Sequence, residues 1–336
     1  MNKRKVLVTG AAGFLGSHLT DHLIENGFEV LGIDNMIGGD LENVNPNVKF
    51  SNLDCCDVNK LNILCKNIDV IFHCAATAHE GLSIFSPNEI AKNNFLATTA
   101  VVTAGVNNKV KRIIFCSSMA RYGNQKTPYT EDMQTRPVDP YGISKVAAEE
   151  VLKVLCNLNK VEWVIAVPHN IIGPKQRYVD PYRNVVSIMF NRILQGKKPI
   201  IYGDGEQKRC FSYIDDCISC LLKMMDSKEV VGEVINIGPD EEFFSINEIA
   251  KMCSNISGSN LVPEYYPHRP LEIKLATCSS DKARRLLNYQ TTTKTYDAIK
   301  KTYEYIKSKG PKKFQYNINL EINNKITPVT WKKKIF

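Results

Sequence analysis

Lys5-Val6-Leu7-Val8-Thr9 runs straight into Gly10-Ala11-Ala12-Gly13-Phe14-Leu15-Gly16, and a helical apolar pattern follows over Phe14–Asn26. This strand, glycine turn and helix constrain the chain more than any other feature. Glycines permit a sharp turn and let the backbone approach a pyrophosphate. The helix start behind them offers free N–H groups and the positive end of its dipole. A second strand, Glu29–Ile33, leads to Asp34 about 20 residues further on, where a carboxylate can hold an adenosine ribose diol. The same carboxylate repels a 2′-phosphate, so NAD is expected in preference to NADP.

Strands and helices keep alternating after this junction. Val48-Lys49-Phe50, Val70-Ile71-Phe72, Arg112–Phe115 and Trp163–Val167 read as strands, with helices over Asn88–Gly105 and Pro140–Asn157. Such alternation means βαβ units, a buried parallel sheet and helices on both faces. The expected fold is α/β, a Rossmann-type doubly wound parallel sheet with a smaller α/β lobe. The dinucleotide domain is expected over residues 1–170 and an interleaved substrate lobe over 171–309. Helices near Asn184–Gln195, Ile214–Met225, Ser245–Cys253 and Lys294–Lys307 belong to the second part. Residues 310–336 form a basic tail, whose Phe314, Tyr316, Trp331 and Phe336 argue that part of it docks on the body.

Charge and composition exclude several classes. The 336 residues carry 43 basic and 35 acidic side chains, a net charge of +8. The tail holds six lysines against Glu321, which leaves only +3 on residues 1–309. No nucleic-acid motif accompanies this charge. No apolar run reaches the ~18 residues of a membrane span, and four apolar or β-branched residues before Gly10 are too few for a signal peptide. Eleven cysteines show no disulfide framework, and Cys217-x-x-Cys220 lies on an apolar helix as two small buried side chains. Reduced thiols in the cytoplasm fit this usage. His18 and His22 have a chelating spacing but no third ligand, so a solvated helix face is expected there and no metal.

The spacing of the turn is GxxGxxG, and here the chain resembles the extended short-chain dehydrogenase/reductase family. Asp54-Cys55-Cys56-Asp57 and Phe72-His73-Cys74-Ala75-Ala76 fall where that family lines its cofactor. The resemblance implies NAD contacts from Gly10, Gly13, Phe14, Leu15, Gly16, Asp34, Asn35, Asp54, Cys55, Cys74, Ala75, Ala76, Asn93, Ser117, Tyr141 and Lys145.

Tyr141-Gly142-Ile143-Ser144-Lys145 is YxxxK on a predicted helix, which puts phenol and ammonium on one face. A free tyrosine titrates near ~10. Nearby positive charge should lower that value and make Tyr141 a usable base. The family's catalytic Ser or Thr lies four residues before a Tyr-Gly, and counting back from Tyr122-Gly123 gives Ser118. The resemblance thus assigns Tyr141 as base, Lys145 as the group that lowers its pKa, and Ser118 as proton relay.

Within the family, the resemblance is to the NAD-dependent nucleotide-sugar epimerase/dehydratase group, and there to UDP-glucose/UDP-N-acetylglucosamine 4-epimerases. Dehydratases of the group carry Asp-Glu directly after the catalytic Ser/Thr, and decarboxylases a nearby Glu. Met119 and Ala120 stand there instead and cannot move a proton. The expected outcome is 4-epimerisation of a UDP-sugar through a 4-keto intermediate. A dehydratase or 4-keto reductase is the alternative, and a silent NAD-binding sensor a further one. The resemblance places His79, Glu80, Ser118, Asn170, Asn184, Arg209, Arg269 and Glu272 around the substrate. Two forked guanidiniums, Arg209 and Arg269, suit a diphosphate. Ala276 is expected to gate the sugar pocket and, being small, to admit an N-acetyl group. A homodimer formed through the two long helices is also implied.

Overall fold

A computed structural model describes residues 3–336. Six strands follow the order of the sequence: β1 (Lys5–Thr9), β2 (Glu29–Asp34), β3 (Lys49–Asn52), β4 (Val70–His73), β5 (Arg112–Cys116) and β6 (Glu162–Pro168). With an edge strand at Val234–Ile237 they form one sheet. From that edge inward, β6, β5, β4, β1, β2 and β3 follow in turn, every pair parallel. The chain winds one way from β1 through β2 to β3, then crosses back to β4 on the other side of β1. Ligands of doubly wound sheets bind at such a reversal, beyond the carboxyl ends of the strands.

Alternation along each strand builds two cores. Val6, Val8, Val70, Phe72, Ile114, Val164 and Ala166 face one apolar cluster, while Leu7, Ile71, Ile113, Phe115, Ile165 and Val167 face the other. These positions are fully buried, and each large aliphatic side chain among them contributes roughly 1.5–3 kcal/mol. Helices Phe14–Glu25 and Ile214–Met224 pack together over the first face, and Val58–Leu64, Ala97–Asn107 and Pro140–Asn159 cover the second.

Several elements depart from the sequence expectation. The edge strand Val234–Ile237 and helix Asp281–Leu287 are additional. The edge strand returns to the main sheet from beyond residue 170, which interleaves the two parts. The helix expected over Asn88–Gly105 runs from Pro87 to Asn107 but is π-helical over Ala91–Leu96. His18 does not lie on a solvated face. Its ring is largely covered and its Nε2 lies 2.9 Å from the Pro174 carbonyl oxygen. Cys217 and Cys220 are buried side chains of helix Ile214–Met224, as their pattern predicts. The tail docks: Ile318 and Trp331 join Leu82, Phe85 and Tyr182 in a separate apolar cluster.

Candidate active site

One cleft of about 470 Å³ opens at the carboxyl ends of the strands, between the sheet and the second lobe. Its floor starts at the glycine turn. Gly10 is left-handed, and a Cβ there would meet the Ala75 backbone at 2.9 Å. A Cβ on Gly16 would sit 2.1 Å from the Gly10 carbonyl oxygen, so only glycine lets helix Phe14–Glu25 start this close to β1. No side chain caps this helix at Gly13, which leaves its first N–H groups for an anion. Asp34 is held by the Met36 and Ala12 N–H groups at 2.8 and 3.1 Å. These parts fit a dinucleotide: a pyrophosphate on the open helix start, a ribose diol on the fixed carboxylate.

Thr9, His73 and Thr98 lock the strands beneath. The Thr9 hydroxyl meets His73 Nδ1 at 2.7 Å, and His73 Nε2 meets the Thr98 hydroxyl at 2.9 Å. Burial and the Lys145 charge push His73 down to about 3, so it stays neutral. The π-helical segment turns consecutive residues Asn93 and Asn94 inward. Asn93 donates to the Thr77 hydroxyl, and Asn94 bonds both backbone groups of Thr77. This fixes the loop Cys74–Thr77 along the cleft.

The helix carrying Tyr141 and Lys145, Pro140–Asn159, is capped by Asp139, whose carboxylate accepts the Gly142 N–H at 2.9 Å. Both side chains are buried against the cleft. Lys145 Nζ donates to the Cys116 carbonyl at 2.8 Å and sits 6.0 Å from the centre of the Tyr141 ring. Burial lowers Lys145 to about 8. Burial also pushes Tyr141 up to about 12, against the pull of a hydrogen bond with Ser118 and the Arg183 charge. In the protein alone, desolvation outweighs these charges, and the positive nicotinamide expected beside the phenol is not among them. Ser117, one residue before Ser118, turns its hydroxyl to the buried Glu149, which Arg121 pairs at 2.9 Å. That buried pair fixes the turn from β5 into the catalytic segment.

The substrate half lies opposite. Asn170, at a left-handed φ of 40°, donates to the Cys210 carbonyl at 2.9 Å. Asn184, left-handed just before helix Val185–Leu194, bonds Arg177, Gln176 and Arg183 with its side chain. Arg209 donates to the Ile273 and Lys274 carbonyls. Arg269 forks onto Glu272 at 2.6 and 3.3 Å and lies over the Tyr202 ring, so Glu272 is paired rather than free for a ribose. His79 Nε2 bonds Asp180 at 2.7 Å. Glu80 faces the open cleft, where crowding by the protein and the Asp139 charge raise its pKa against three arginines.

Every residue expected at the site lines this cleft except Ala276. Ala276 pairs in register with Arg209, and its side chain lies in the second apolar core. It therefore does not line the cleft that it was expected to gate. Sequence reasoning missed Arg183, the cation acting on Tyr141, Lys145 and Glu80. It also missed Arg177 and the tail residues Gln315, Asn317, Ile318 and Phe336, which line the same cleft. Tail aromatics were the signal for the latter; a loop arginine carries none. Among the described residues no His/Cys/Asp/Glu group could hold a metal, and no helix is long and apolar enough to cross a membrane.

Comparison with known proteins agrees with this geometry. The chain is 30% identical to the UDP-glucose 4-epimerase of Mycolicibacterium smegmatis, over 91% of its length and 99% of the relative's. It is also 30% identical to the UDP-N-acetyl-alpha-D-glucosaminuronate decarboxylase of Bacillus cytotoxicus, over 91% and 98%. The crystal structure of UDP-glucose 4-epimerase with UDP-glucose from Thermotoga maritima superposes with a TM-score of 0.87 at 30% identity, covering 91% of this chain and 99% of that one. Residues 6–238 match the profile of the NAD dependent epimerase/dehydratase family, and with the glycine turn, Asp34 and the Ser118–Tyr141–Lys145 arrangement already in place, the chain belongs to that family.

Proposed function

We propose that the protein is an NAD-dependent UDP-sugar 4-epimerase. An epimerase and a decarboxylase are equally similar in sequence, so likeness does not choose between reactions. The observation that carries the choice is what stands beside Ser118. Met119 lines the cleft there with a thioether, and Ala120 is buried with a methyl group. Neither can protonate a leaving group or take up a proton.

Tyr141 removes the proton of the sugar 4-hydroxyl, with Ser118 bonded to the phenol as relay. NAD, which the open helix start at Gly13 and the Asp34 carboxylate would hold, would supply the hydride acceptor for carbon 4. Lys145, fixed by the Cys116 carbonyl, keeps positive charge beneath the phenol at neutral pH. Arg183 adds a second cation from the opposite wall. The resulting 4-keto sugar turns over in the cleft, so that hydride would return to the opposite face of carbon 4, while the 4-oxygen regains its proton from Tyr141. Arg209, Arg269, Asn170 and Asn184 hold the diphosphate meanwhile.

Glu80 supports a second reading. A carboxyl group of raised pKa facing the cleft is a usable general acid, and a dehydratase would need one. Incubation with UDP-glucose and with UDP-N-acetylglucosamine, without added cofactor, separates the two. The C4 epimer is expected, and a 4-keto-6-deoxy sugar would establish the dehydratase instead. A homodimer and a reducing cytoplasm complete the proposal. Eleven free cysteines suit that compartment.

A further inference from the structure

The family match ends at residue 238, and the tail beyond residue 314 is built into the cleft wall. Trp331, 2% exposed, packs edge-to-face with Phe85, Tyr182 and Tyr202, and its neighbour Thr330 bonds the Tyr202 hydroxyl. Glu321 accepts the N–H groups of Asn88 and Glu89 at 2.9 and 3.0 Å. It thereby anchors the tail to the helix that carries Asn93.

The tail then reaches the cofactor side. Asn35–Gly39 is the loop that follows the ribose carboxylate, and all but Met36 of it lines the cleft. Asn317 donates to the Ile37 carbonyl at 3.2 Å, and Ile37 packs on the Trp331 cluster. Arg177 bridges the same gap, giving one nitrogen to the Gly39 carbonyl and the other to Gln315 at 2.5 Å. Lys309 adds a 2.9 Å ion pair to Glu42 just beyond the loop. The glycines Gly38 and Gly39 would otherwise leave this loop free to swing.

We infer that residues 315–336 are a cofactor clasp, which pins the Asn35–Gly39 loop to the second lobe and retains bound NAD between turnovers. Such retention suits a cycle with no net redox change, but the inference rests only on NAD binding. It stands or falls apart from the proposed reaction.

The test measures NAD still bound to the full-length protein at timed intervals after gel filtration. The double variant Gln315→Ala/Asn317→Ala changes two exposed side chains, and Trp331→Ala removes the anchor. Both are expected to release NAD at least 10-fold faster than the unaltered chain. Circular dichroism and melting temperature check the fold. Should Trp331→Ala fail to fold, the double variant decides alone. Unchanged retention in the folded variants overturns the inference, as does weakened UDP binding with NAD retention intact.

Discussion

Tyr141 and Lys145 are both buried, and desolvation moves their pKa values in opposite directions, to about 12 and about 8. Tyr141→Phe keeps the ring and removes the proton carrier. Its turnover is expected to fall 10²–10⁴-fold, a range typical of general acid–base groups, with NAD still bound. Steady-state rates and bound-cofactor absorbance check this. Lys145 carries a stability cost with a defined pH window. Its folded value of about 8 lies below the ordinary 10.5. Below pH 8 both folded and unfolded chains hold the proton, and the burial penalty is present in full. Between 8 and 10.5 the unfolded chain binds more protons, so stability rises with pH. Lys145→Met is therefore expected to be inactive yet more stable without cofactor. The gain is on the order of 2 kcal/mol at pH 7 after the lost Cys116 hydrogen bond is discounted. Denaturant midpoints should show the gain shrinking by pH 10, and a gain independent of pH would refute the burial argument. At this scale the sequence was informative wherever spacing encodes a shared face or turn, as in YxxxK. Arg183 sits in an irregular loop, and only the folded chain reveals its proximity to Tyr141.

Elements place those residues, and their ends matter most. Tyr141 lies in the first turn of its helix, directly after the Asp139 cap. Asp139→Ala should cost about 1 kcal/mol through the lost cap. It should also lower kcat more than it raises KM, because the first turn holds the base. Asp139→Asn, which can still accept the Gly142 N–H, should restore the melting temperature and most of kcat. Thermal melts and steady-state kinetics on the two variants check both halves, and equal kcat loss in both would mean that the charge matters rather than the cap. The glycine turn was legible because steric exclusion leaves a strong mark: Gly16→Ala puts a methyl group 2.1 Å from the Gly10 oxygen, and NAD binding should be lost on titration. The π-helical segment was not legible. Apolar periodicity averages over one extra residue per turn, yet that residue turns both Asn93 and Asn94 inward. Val234–Ile237 escaped for a different reason. Four residues with an asparagine among them are too short to register as a strand, and the main sheet supplies its pairing.

For the whole molecule, the helix Pro140–Asn159 has two faces with different tasks. One buries Tyr141, Lys145, Glu149 and Leu152 against the sheet. The other presents Ile143, Val154 and Leu158, which are 54%, 62% and 78% exposed. Spacings of 11 and 4 residues put these three on one stripe. The neighbouring helix Ala97–Asn107 packs alongside, and Leu96 at its start is 53% exposed. Exposed apolar side chains grouped on one helix stripe are the kind of surface that associates with a partner. Pairing the two helices with the same two of a second copy gives a self-complementary four-helix contact about a two-fold axis. A stable contact needs roughly 800 Å² from each partner. Light scattering at micromolar concentration should return twice the 37.9 kDa chain mass. Val154→Asp/Leu158→Asp places charge on the stripe without touching the buried face. It should give a monomer that still binds NAD, since neither Val154 nor Leu158 lines the cofactor cleft. A wild-type monomer, or a double variant that remains dimeric, would move the interface away from these helices.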